Sequence, residues 1–152
     1  MNIQEKEALT IVGISLRTTN ENQQAMKDIP EFWHKFMEEN IQEKLPNIVN
    51  PTVYALYTDY ISDETEPYTM ILGYEVSELD NIPEEFTVKV IPTNKYAKFV
   101  AKGDLTQDAV YNSWKEIWNT DLDRAYSTDI EVYGEKATDP TNGEAEIYIA
   151  LN

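Results

Sequence analysis

A chain of 152 residues with 28 acidic side chains against 12 basic ones carries a formal net charge of -16, and its field repels phosphate backbones and anionic membranes while attracting cations. Direct nucleic-acid binding is therefore not expected. Hydrophobic residues at 41% and aromatic residues at 11% suit one folded domain over residues 1–152, and the absence of cysteine removes disulfides, thiolate nucleophiles and cysteine-based zinc sites.

The N-terminal segment MNIQEKEALTIVG has no basic stretch followed by a long apolar run, and no segment approaches the length of a membrane span, so a cytoplasmic protein is the expectation. Residues 9–16, LTIVGISL, read as a first strand, and the polar residues 17–24 as a loop or helix start. From Ile29, Phe32, Trp33, Phe36, Met37 and Ile41 recur at helical spacing, with Asp28 and Glu31 resembling a capping box and Pro46 marking the exit. VYALYTDY and YTMILGYEV, residues 53–60 and 68–76, then read as an antiparallel hairpin around a solvated acidic loop, DETE, at 63–66.

The same order begins again after the connector SELDNIPEE. Residues 86–103 hold one or two short strands split at Pro92. A helix with Val110, Trp114, Ile117 and Trp118 on one stripe follows, with Thr106 as N-cap. The strands STDIEVYGEK and EAEIYIALN close the chain. Strand, helix, strand, strand thus occurs twice, in pseudo-repeats of about 7–78 and 84–152. Two such modules bury their apolar faces around a pseudo-two-fold axis, which predicts an α+β fold: a shared antiparallel sheet, two main helices and a central ligand groove lined by aromatic side chains.

In EAEIYIALN an offset of 76 residues lays Glu146 over Met70, so the carboxylate has no counterpart in the first half. Strand alternation puts Glu146 on one side with Tyr148 and Ala150, and Ile147, Ile149 and Leu151 on the other. Two readings stand: a hydrated residue at a strand entrance, or a carboxylate inside an aromatic groove that attracts a cation. The single histidine, His34, lies among Glu31, Lys35, Glu38 and Glu39 and reads as solvated. One histidine, no cysteine and scattered carboxylates suggest no transition-metal site, and no phosphate-binding glycine loop is present.

The repeated module, KYAKFVAKG leading into the Trp114 helix, EVYGEK, and the terminal EIYIALN resemble the GyrI-like family, which includes the effector-binding domains of AraC-type and MerR-type transcription regulators. VYALYTDY and YTMILGYEV extend the resemblance over nearly the whole chain. It implies a groove that binds small lipophilic, often cationic molecules, with a last-strand glutamate contacting the ligand, a position held here by Glu146. The family's EIYIP pattern ends here in Ala150. For the aromatic wall the resemblance implies Tyr57, Tyr68, Tyr96 and Trp114, whereas Trp33, Phe36 and Trp118 are expected in the core. No cofactor is implied.

The family's regulators carry a helix-turn-helix domain beside the effector domain, and no segment here is left for one, so a stand-alone form is expected. Three roles are open to it: sequestering a ligand, acting with a separately encoded DNA-binding partner, or inhibiting another protein through its acidic face. An enzymatic alternative, hydrolysis of reactive small molecules with Glu146 as general base, asks for the same carboxylate.

Overall fold

The computed structural model describes residues 2–63 and 65–152; of the acidic loop, Glu64 lies outside the described residues. The alternating segments become strands β1 (Asn2–Lys6), β2 (Leu9–Thr18), β3 (Val53–Thr58), β4 (Tyr68–Glu75), β5 (Thr87–Ile91), β6 (Asn94–Gly103), β7 (Thr128–Tyr133) and β8 (Gly143–Ala150). The segments with helical spacing become α1 (Gln24–Glu38), a short α2 (Ile41–Lys44) and α3 (Ala109–Trp118). All eight strands join one antiparallel sheet in the order β1-β6-β8-β7-β3-β4-β2-β5.

This order makes the duplication visible. The module β2-α1-β3-β4 occupies one half of the sheet and β6-α3-β7-β8 the other, and they meet where β3 pairs with β7, from Val53 opposite Tyr133 to Thr58 opposite Thr128. The sheet also curls. Only Pro92 and Thr93 separate β5, at one end of the order, from β6 near the other. Three Cα steps reach about 11 Å at most, whereas six flat strand spacings would cover about 29 Å.

Each face therefore has its own core. On the outer face α1 packs Phe32 and Phe36 against Val12, Ala55, Met70 and Leu72, and α3 packs Ile117 against Ala101, Ile147 and Ile149. Inside the curl, Ile11, Leu56, Ile71, Ile91, Tyr96, Ile130, Tyr148 and Ala150 form a cluster drawn from both halves. Gly13 and Gly73 face each other in β2 and β4, where a Cβ on Gly13 would lie 1.9 Å from the Leu72 carbonyl oxygen.

Several boundaries differ from the sequence reading. β2 runs on through Arg17 and Thr18, because Thr18 is buried and its hydroxyl donates to Asp28 Oδ2 at 2.9 Å. Asp28 is consequently not a helix cap: α1 begins at Gln24, whose amide also donates to Asp28, and the helix continues through Pro30. Thr106 does not cap α3 either, since Asp108 takes that place while Thr106 bonds to Asp104. Leu45 turns extended, as the residue before Pro46 must. Strand β1, unforeseen, pairs along β6 from Asn2–Lys98 to Lys6–Asn94.

Candidate ligand site over the central strand pair

On the helix-bearing face where β3 and β7 meet, α1 and α3 flank an open cavity of about 1340 Å³. Small-molecule pockets typically measure about 300–1,000 Å³, so the space admits a bulky guest. Trp33 comes from α1, Trp114 and Trp118 from α3, and Tyr57, Tyr68 and Tyr133 from the sheet. The chain's three tryptophans all line it.

Glu131 lies at the floor. Its register opposite Ala55 and Ile147 puts it on the helix-bearing face, and it is 1% exposed. Three aromatic donors converge on it: Tyr57 Oη to Oε2 at 2.9 Å, Trp114 Nε1 to Oε2 at 2.6 Å, and Tyr133 Oη to Oε1 at 2.7 Å. Burial pushes the Glu131 pKa up, and the bonds from Tyr133, Trp114 and Tyr57 oppose the rise without cancelling it. Burial, followed by the Glu131 charge, holds the Tyr57 and Tyr133 hydroxyls well above their usual pKa, so both remain donors. Tyr68, raised to about 12 first by burial, donates to Asn20 Oδ1 at 2.9 Å.

The rings brace one another. Tyr57 meets Trp114 edge-on at 5.3 Å and Tyr68 at 6.0 Å, while Trp33 meets Tyr133 edge-on at 5.0 Å. Arg124 also lines the cavity, but its guanidinium is 2.8 Å from Asp129 Oδ2, and that fully buried carboxylate also accepts from Tyr60 Oη at 2.7 Å and the Ala150 N–H at 2.9 Å. Among the described residues no cation stands within ion-pair distance of Glu131. The site therefore presents a buried carboxylate, held by aromatic donors and without a counterion among the described residues.

Of the residues singled out from the sequence, Tyr57, Tyr68 and Trp114 come together on this cavity. Glu146 and Tyr96 do not. Glu146 lies on the inner face beside Lys98, whose Nζ is 2.6 Å from Oε2, and Tyr148 Oη donates at 3.1 Å; its side chain is 40% exposed. Partial burial pushes its pKa up, but the bonds from Lys98 and Tyr148 and the charges of Lys98 and Lys6 outweigh that and leave it lowered. β4 spans 68–75 and β8 spans 143–150, a displacement of 75 rather than 76, so Glu146 matches Ile71 of the inner core rather than Met70. One residue of slip moves a side chain to the opposite face. Tyr96, opposite Ala150 and 2% exposed, packs in the inner core 6.2 Å from Tyr148.

The sequence reading missed Glu131 and Tyr133, although both stand in the quoted EVYGEK. The usable signal was an acidic residue between Ile130 and Val132 in mid-strand, sharing a face with Tyr133. Trp33, expected in the core, packs against it beside Phe36 and also borders the cavity, whereas Trp118, expected in the core too, lines the cavity at 41% exposure. His34 is exposed and 2.9 Å from Glu38. Among the described residues no helix is long and apolar enough to cross a membrane.

Relatives agree with this architecture. The integron cassette protein VCH_CASS2, from the mobile metagenome of Vibrio cholerae, superposes with a TM-score of 0.77 and 31% identity over 99% of this chain and 95% of its own. SAV2435, solved bound to tetraphenylphosphonium, shares the fold at a TM-score of 0.80 and 19% identity over 99% of this chain and 93% of its own. YobU of Bacillus subtilis strain 168, a protein named for transcriptional regulation, is 27% identical over 143 residues, 91% of this chain and 89% of its own. Residues 2–151 match the Cass2 family, and the chain belongs to these integron-associated effector binding proteins.

Proposed function

We propose that the protein binds a bulky lipophilic cation in the cavity over β3 and β7, with Glu131 as its charge partner and Tyr57, Tyr68 and Trp114 as its aromatic wall. The observation that carries this reading is the carboxylate itself. An ionised group at 1% exposure is strongly penalised unless paired, and Glu131 has three neutral donors but no cation among the described residues. A guest cation supplies the missing charge, and the ring faces attract it by about 0.5–2 kcal/mol each. The tetraphenylphosphonium held by SAV2435, a protein of the same fold, fits this class of ligand. Binding is favoured over hydrolysis because a general base needs a free lone pair within reach of water, and Glu131 is sealed by its donors. Ligand occupancy would then be signalled to a regulatory partner, a role in keeping with the name of YobU.

All three tryptophans border the cavity, so quenching of intrinsic fluorescence reports its occupancy. Titration with tetraphenylphosphonium is expected to quench wild type saturably. Glu131→Gln should weaken binding at least about tenfold, the expected size for losing one charge partner at short range, while Glu146→Gln stays within about twofold because that side chain lies on the other face. Equal affinity in wild type and Glu131→Gln would sink the assignment.

A further inference from the structure

The hydrogen bonds on Glu131 bear on which cations enter. We propose that the site selects cations without hydrogen-bond donors, quaternary ammonium or phosphonium centres, over protonated amines of the same shape, and that Tyr133 helps set this preference. The inference rests on the cation-binding reading above and concerns the chemical class of the ligand.

An ionised carboxylate offers roughly four acceptor positions on its two oxygens. On Glu131, Oε2 receives Tyr57 and Trp114, and Oε1 receives Tyr133. The Tyr133 ring is buttressed edge-on by Trp33 at 5.0 Å, so the donor on Oε1 is held from the α1 side of the wall. At 1% exposure, the remaining lone pair is closed to a guest. The carboxylate thus offers a field and almost no acceptor. Beside Glu131 an ammonium N–H leaves water to meet the phenolic oxygens of Tyr57 and Tyr133, whereas a quaternary centre surrenders no hydrogen bond on entry and keeps both the Coulomb attraction and the ring faces.

A methylation series at constant charge tests this: dibenzylammonium, N-methyldibenzylammonium and N,N-dimethyldibenzylammonium, titrated at neutral pH beside tetraphenylphosphonium. Each added methyl contributes about fourfold through burial alone. In wild type each N–H replaced should instead tighten binding more than about tenfold, since an unsatisfied donor is being removed. Tyr133→Phe frees a position on Oε1, so its steps should shrink toward about fourfold. The methyl burial is common to both proteins and cancels in the comparison.

Steps of fourfold or less in wild type, or undiminished steps in Tyr133→Phe with native circular dichroism, would overturn the proposal. If that variant does not fold, Trp114→Phe, which frees one position on Oε2 while Tyr57 keeps the other, takes its place under the same criterion. Wild type that binds tetraphenylphosphonium but shows only burial-sized steps loses the donor selection and keeps the function. Wild type that binds none of the four cations loses both.

Discussion

Glu131 is the residue on which the proposed binding turns, and its raised pKa fixes the sign of two pH effects. Because the folded value lies above the ordinary 4.5, the native state holds a proton that the unfolded chain has released within that window. Stability therefore falls as pH rises from the ordinary value through the raised one. Asp129, also raised by burial despite Arg124, contributes a slope of the same sign. The difference between wild type and Glu131→Gln isolates the Glu131 part: urea midpoints measured upward from pH 4 should decline more steeply in wild type. Cation binding runs the other way. A permanent cation favours the ionised carboxylate, so its affinity should tighten with pH through the same window and stay flat in Glu131→Gln. A flat wild-type profile would mean that the guest does not sense this charge.

At the scale of elements, the site depends on how closely β2 and β4 approach, since β4 carries Tyr68 and backs the β3 strand that carries Tyr57. A Cβ at Gly13 meets backbone atoms only, the Leu72 oxygen at 1.9 Å and the Gly73 Cα at 2.6 Å, and backbone cannot rotate aside. Gly13→Ala should destabilise the fold by about 2 kcal/mol or more in urea denaturation. Gly134→Ala, whose Cβ would meet Thr52 no closer than 3.6 Å, is the contrast, expected to stay within about 0.5 kcal/mol. Equal effects would show that close sheet packing at Gly13 is not limiting. α1 and α3 act differently: Phe32, Phe36 and Ile117 anchor them to separate outer cores, and the cavity lies between the two helices.

For the whole molecule, a net charge of -16 acts beyond the pocket. The field concentrates cations near the surface and is screened over a Debye length of about 10 Å at 0.1 M salt. Stopped-flow fluorescence should show the association rate of tetraphenylphosphonium falling as salt rises, with the dissociation rate nearly unchanged because the bound contacts are buried. Neutral triphenylphosphine oxide should show no such dependence. A salt effect confined to dissociation would place the relevant charges at the bound site alone.

Much of this protein was legible along the chain, because strand and helix are local periodicities. LTIVGISL, VYALYTDY and the Trp114 stripe declare their elements, their recurrence declares the duplicated sheet, and Tyr57, Tyr68 and Trp114 fall on the elements that border the cavity. Helix α1 was harder to bound, since a tertiary bond from Thr18 to Asp28 holds its first turns. β1 forms only because β6 offers it an edge. Which face Glu131 and Glu146 each take was beyond the sequence for a sharper reason. Both stand in alternating strands, and alternation says which residues share a face but never which face bears the helices. That was decided by pairing: β7 with β3 and β8 sets Glu131 opposite Ala55 and Ile147, and β8 with β6 and β7 sets Glu146 opposite Val100 and Val132, on the face of Lys98.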